Sequence, residues 1–157
     1  SPLVASPSLS FLMLGIRLAT SIGRRRSQAT AMSSQRKAGV SSPEELRAFV
    51  ASAGERLLVV DVRNPDASVE PGDQKSIGVA GLPSGGCRPQ ARHLIYNRAE
   101  KKMDLPGVGK DTPIITHCGG GGRGQKAKEF LNSHGYTNVL NGGGPKEVDC
   151  WKEFGEK

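Results

Sequence analysis

"ITHCGGGGRGQK" runs from Ile115 to Lys126 and sets four consecutive glycines between a cysteine and an arginine. Each glycine costs about 1 kcal/mol of helix stability relative to alanine, largely through chain entropy. A simple turn needs one or two. Four indicate that the backbone itself is wanted there, clear of side chains. Ahead of the glycines, "TPIITH" (Thr112–His117) reads as a strand. Behind them, "GQKAKEFLNSHG" reads as a helix from about Gly124 to His134, with Ala127, Phe130, Leu131 and His134 on one face and Gly135 as its stop. Cys118 therefore stands at a strand-to-helix junction.

The flanking sequence repeats this alternation. "SSPEELRAFVASAG" predicts a helix. Ser42 caps it, Pro43 takes the first helical position, and Glu45 completes a capping box. Leu46, Phe49 and Val50 form its apolar stripe, and Gly54 ends it. "RLLVVDV" (Arg56–Val62) is a continuous apolar run, as expected of a strand buried on both faces. From Ala67 to Gln90 the Gly, Pro and Ser content predicts a long loop. "ARHLIYN" (Ala91–Asn97) and "TNVLN" (Thr137–Asn141) predict further strands, and "GGGPKEVDCWKEF" a loop and a last helix with Pro145 near its start. The expected fold class is α/β, a parallel sheet flanked by helices on both faces.

In such a sheet ligands bind beyond the carboxyl ends of the strands, which is where Cys118 lies. Gly119, Gly120, Gly121, Gly122 and Arg123 can curl around its sulfur, and successive unobstructed N–H groups make an anion-binding nest. The following helix N-terminus adds partial positive charge, and Arg123 a full one in a fork that fits oxyanions. All three stabilise a thiolate, so the stretch predicts a nucleophilic cysteine that accepts an anionic substrate. The bland alternative is a glycine hinge beside an inert, buried cysteine.

Other motifs fail on spacing. A phosphate-binding Walker loop needs Lys directly after the last glycine. Here Gln125 follows Gly124, Lys126 is one place late, and Ala127 cannot hold magnesium. The G-x-G-x-x-G match is trivial in a glycine run and falls on the third strand. A Cys–His protease would need His93 or His134 brought close, and nothing marks either. His134 reads as a partly buried helix residue. His117 alternates to the other side of its strand, which favours packing or a local hydrogen bond over a role as base.

The formal charge of +7 is not spread evenly. Residues 1–42 hold six of the twenty-two Lys and Arg residues and no Asp or Glu, so sixteen basic residues face fifteen acidic ones thereafter. The near-neutral remainder gives no support to a nucleic-acid role. The first part is Arg- and Ser-rich and acid-poor, with the apolar stretch "LSFLMLGIRLA" (Leu9–Ala19). That is the composition of an organelle presequence, mitochondrial first, over residues 1–39, with the folded domain over 40–157. A secretory signal is the rival, but its basic region should precede the apolar core. The stretch is too short for a membrane span and Arg17 interrupts it, so no membrane role is expected. A start at Met32 would make the protein cytoplasmic. Cys87, Cys118 and Cys150 form neither a disulfide framework nor a zinc spacing, so no metal is expected.

Together these residues resemble the single-domain rhodaneses, the thiosulfate sulfurtransferases. Cys118, Gly121 and Arg123 match that family's Cys-x-x-Gly-x-Arg loop. "VVDVR" (Val59–Arg63) is similar to its early Asp-Val-Arg strand end, and "NVLNGGGPKEVDCW" (Asn138–Trp151) to its late Gly-Gly…Trp ending. The family's Gly-His-Ile-Pro-Gly-Ala segment is replaced by "KSIGVAGLPSGGCRPQARHLIYN" (Lys75–Asn97), which is longer. The resemblance implies a rhodanese-like sheet and a Cys118 persulfide. It implies a small anionic sulfur donor, and cyanide, a small thiol or a protein thiol as acceptor. No organic cofactor is implied. Asp61 and Arg63 would tie down a strand end, and Gly142 and Gly143 would shape the loop beside the site. Two other readings stay open. Non-catalytic rhodanese-like modules exist, though they generally lack the cysteine. Cysteine phosphatases place five residues between Cys and Arg, whereas this loop has four.

Overall fold

The computed structural model describes residues 36–156. The expected presequence over residues 1–39 lies almost wholly outside them. Four strands form one parallel sheet in the order β2-β1-β3-β4. They are β1 (Leu58–Asp61), β2 (Ala91–His93), β3 (Ile114–His117) and β4 (Val139–Asn141). The helices are α1 (Pro43–Ala53), α2 (Asp73–Val79), α3 (Gly122–Ser133) and α4 (Val148–Phe154). Among the described residues no helix is long and apolar enough to cross a membrane.

Strand alternation splits the core into two layers, because successive side chains point to opposite faces. Leu58, Val60, Val62 and Ile114 pack with Ala127 and Leu131 of α3 on one face. Val59 and Ile115 pack with Leu46 of α1 and Trp151 and Phe154 of α4 on the other. The central strands are buried throughout, which is why they read as continuous apolar runs.

The α1 capping box forms as the sequence predicts. The Ser42 hydroxyl accepts from the Glu45 amide and the Glu45 carboxylate accepts from the Ser42 amide, both at 3.1 Å. Gly54 follows the helix with φ of 55°. Three local expectations need correction. The segment from Ala67 to Gln90 is not a structureless loop: it contains α2, whose seven residues are too few for a periodic signal and enclose Gly78. Strand β2 ends at His93, well short of Asn97. His134 is exposed at the end of α3, its ring 4.2 Å from that of Phe130.

Candidate active site

Strand β3 delivers Cys118 to the carboxyl edge of the sheet. The Cys118 amide donates to the Gly143 carbonyl at 3.1 Å, fixing the start of the loop against the run after β4. The chain then turns so that the Gly121 amide donates to the Cys118 sulfur at 3.0 Å. Gly121 holds φ of 109° at the N-terminus of α3, and a Cβ there would lie 2.5 Å from Val40 Cγ2. Glycine is required at that position on both counts. The amides of Gly119, Gly120 and Gly122 donate to no protein acceptor among the described residues. The four glycines are not equally constrained, since methyl groups at Gly120 and Gly122 would meet only lysine side chains at 3.6 Å or more.

Asn141, buried at the end of β4, ties the two glycine runs together. Its Nδ2 donates to the Gly121 carbonyl at 2.9 Å and its Oδ1 accepts from the Gly143 amide at 3.0 Å. Gly143 lies against the loop, its Cα 3.1 Å from where a Cβ on Gly121 would stand, whereas Gly142 packs toward the core. A Cβ at Gly142 would strike Phe154 and Ile115, and one at Gly144 would overlap the Cys118 carbonyl.

Arg123 is where the structure departs most from the sequence reading. An oxyanion fork at the rim is expected, but the residue is buried. Its Nη2 donates to the Asp73 carboxylate and its Nη1 to the Val62 carbonyl at 3.4 Å, with Glu70 3.8 Å from Nε. Burial works against its charge. The Asp73 hydrogen bond and the negative charge available at Cys118 outweigh burial and raise its pKa. Helix α2 brings Asp73 to the site, and its other oxygen accepts from the Asn64 amide at 2.9 Å.

Behind the cysteine lies a second buried cluster. Arg63 grips Asp61 with Nε–Oδ1 at 3.0 Å and Nη2–Oδ2 at 2.7 Å, and Nη2 also donates to the Gly81 carbonyl. Arg88 donates from Nη1 to the same Asp61 oxygen at 3.2 Å, and its guanidinium lies 4.9 Å from the centre of the Trp151 ring. Arg88 Nη2 meets His117 Nε2 at 2.7 Å. A guanidinium only donates, so Nε2 accepts and the proton of His117 sits on Nδ1. Nδ1–H then donates to the Cys118 carbonyl at 3.1 Å. Burial, aided by Arg88 and Arg63, pushes the His117 pKa down to about 4 despite Asp61. Burial disfavours the Asp61 anion too, but His117 and the Arg63 fork overcome it and hold the carboxyl at about 2. His117 is thus a neutral, packed residue set edge-on to Trp151.

Asp73, Arg88 and Asn141 escape sequence reading. Asp73 and Arg88 come from the Gly- and Pro-bearing segment that shows no periodicity. Asn141 alone had a local signal, a polar residue ending an apolar strand before three glycines. Arg88 also holds φ of 56°, an uncommon conformation for a non-glycine residue.

A family model described as a rhodanese-like domain matches residues 42–145. No curated protein sequence is significantly similar to the chain. Among solved structures, the chain is similar to the Alr3790 protein from Anabaena sp., at 18% identity over 74% of this chain and 88% of that one (TM-score 0.40). It is similar to a polysulfide-sulfur transferase homodimer from Wolinella succinogenes, at 20% identity over 74% of each chain (TM-score 0.44). It is also similar to an uncharacterized protein from Saccharomyces cerevisiae, at 21% identity over 74% of this chain and 92% of that one (TM-score 0.43).

Proposed function

The chain belongs to the rhodanese-like domain family, and on that premise we propose that it is a sulfurtransferase working through a persulfide on Cys118. The observation that carries the reading is the Gly121 amide aimed at the Cys118 sulfur, in a loop whose neighbouring amides have no protein acceptor among the described residues. That is an arrangement suited to a thiolate and then to the terminal sulfur of a persulfide.

In the first half-reaction the Cys118 thiolate attacks the outer sulfur of thiosulfate. A new S–S bond forms, the donor's S–S bond breaks, and sulfite leaves with the bonding pair. In the second, cyanide or a thiolate attacks the terminal sulfur, and the electron pair of the broken S–S bond returns to Cys118. The Gly119–Gly122 amides hold the anionic donor, and Arg123, held by Asp73, adds positive charge that interacts with Cys118. Asp61 and Arg63 act structurally at the end of β1. Neither step calls for a metal or an organic cofactor. Thiosulfate:cyanide transfer by the wild type and its loss in Cys118→Ser, with unchanged thermal unfolding, is the expected result. Wild-type rates in Cys118→Ser would sink the assignment. We read residues 1–39 as a mitochondrial targeting segment on composition; a fluorescent reporter carrying them should enter mitochondria, and diffuse cytosolic signal would oppose that.

A further inference from the structure

A Cys118 thiolate and a thiosulfate dianion bring three negative charges into one loop, and like charges at contact distance repel. Arg123 does not offset them alone, because it pairs with Asp73 and Glu70 lies 3.8 Å from its Nε. The glycines offer only amide dipoles. We propose that Lys37 and Lys146 supply the missing charge. Together they form a clamp over the loop that seats the sulfonate end of the donor and makes the site select donors by charge. This rests on the sulfurtransferase reading, since it assigns two further residues to the same reaction.

The two side chains come from separate segments and converge on the glycines. Lys37 Nζ and Lys146 Cδ each stand 3.6 Å from the point that a methyl group on Gly120 would occupy. Lys37 Nζ is also 3.7 Å from the corresponding point on Gly122, and Lys146 Cε is 3.7 Å from that on Gly119. Gly119, Gly120 and Gly122 are the glycines whose amides have no protein acceptor among the described residues. Both backbones are anchored at the site. The Lys146 amide donates to the Gly119 carbonyl at 2.9 Å. The Lys37 carbonyl accepts from the Val40 amide at 3.1 Å, in a turn where Gly39, with φ of 85°, lies against Gln125 of α3. Both lysines are exposed, and neither forms an ion pair among the described residues. Both also lie outside residues 42–145, the stretch that matches the family model, so family membership does not supply them. During transfer the clamp holds the sulfonate oxygens while Cys118 bonds to the outer sulfur. The donor's S–S bond breaks and sulfite leaves with the electron pair; the lysines exchange no proton.

The test compares wild type with Lys37→Met/Lys146→Met at low salt, in two ways. The first needs no sulfur transfer. Cys118 is alkylated with iodoacetate, an anion, and with iodoacetamide, its neutral counterpart, and the rates are read on the Cys118 peptide by mass spectrometry. Both reagents meet the same thiolate, so their rate ratio reports the surrounding charge rather than the degree of ionisation. The iodoacetate-to-iodoacetamide ratio should fall about fivefold or more in the variant, the scale of two exposed charge contacts. The ratio at exposed Cys87 should stay constant. The second follows loading of Cys118 by intact mass at limiting donor. The rate with thiosulfate should fall about tenfold, and that with singly charged methanethiosulfonate about threefold or less. Lys37→Arg/Lys146→Arg should recover most of the difference. An unchanged alkylation ratio at Cys118, or equal losses with the two donors, would overturn the clamp. A wild type that neither donor loads would instead sink the sulfurtransferase reading, whatever the alkylation ratio.

Discussion

The Gly121 amide donates to the Cys118 sulfur at 3.0 Å because Gly121 adopts φ of 109°, a conformation closed to most side chains. Gly121→Ala should therefore cripple the site more than the fold. The added methyl must also displace Val40, 2.5 Å away. The expected outcome is at least a tenfold loss of turnover at saturating donor, the scale of removing a preorganised donor to a reacting atom. Cys118 should also alkylate more slowly with iodoacetamide at fixed pH. Gly120→Ala, where there is space, should be much milder. Equal losses in the two variants would mean that the Gly121 amide has no special role.

Arg123 and Asp73 form a buried pair, so removing either partner strands a charge. Arg123→Ala should destabilise the protein by about 3–5 kcal/mol, as breaking a buried pair does. Arg123→Met combined with Asp73→Leu should recover much of that loss. Denaturant unfolding of the singles and the double variant would show it. A stable Arg123→Ala protein whose only defect is a raised KM for thiosulfate would instead restore the rim-clamp role that the sequence suggests.

Stability should fall as the pH drops below about 6.5. An unfolded histidine takes its proton near 6.5, whereas folded His117 does so only near 4. Between those values the unfolded chain binds more protons, with a limiting slope of about 1.4 kcal/mol per pH unit. Asp61, held at about 2, extends the loss at still lower pH. His117→Gln should flatten the profile between pH 6.5 and 4. The same slope in wild type and variant would show that His117 titrates normally.

Arg88 should control the state of His117. Nitrogen NMR of the wild type should find His117 neutral with its proton on Nδ1, as the donation from Arg88 to Nε2 requires. Arg88→Met removes both that donor and a charge that lowers the His117 pKa, while Arg63 still holds Asp61. The titration midpoint of His117 should rise. An unchanged midpoint and tautomer would mean that the contact is incidental.

The elements that carry a strong local pattern were legible in the sequence. The Ser42–Glu45 capping box, the apolar runs of β1 and β3 and the glycine start of α3 are local signals; the box forms as read, and the strands and helix start within two residues of where they read, α3 beginning at Gly122 rather than Gly124. What escaped depends on long-range pairing. Nothing near Asp73 says that it will meet Arg123 fifty residues on, and nothing near Arg88 says that it will fold back beneath His117. The rim position expected for Arg123 rested on its charge alone. Burial with a carboxylate from α2 changes that, and α2 is too short and polar to announce itself.

The most direct test of a Cys118 persulfide is the intact mass of the protein after incubation with thiosulfate and removal of small molecules. The account predicts a gain of one sulfur atom, located on the peptide containing Cys118, lost on adding cyanide and absent from Cys118→Ser. No gain in the wild type, or a gain that persists in Cys118→Ser, would contradict it.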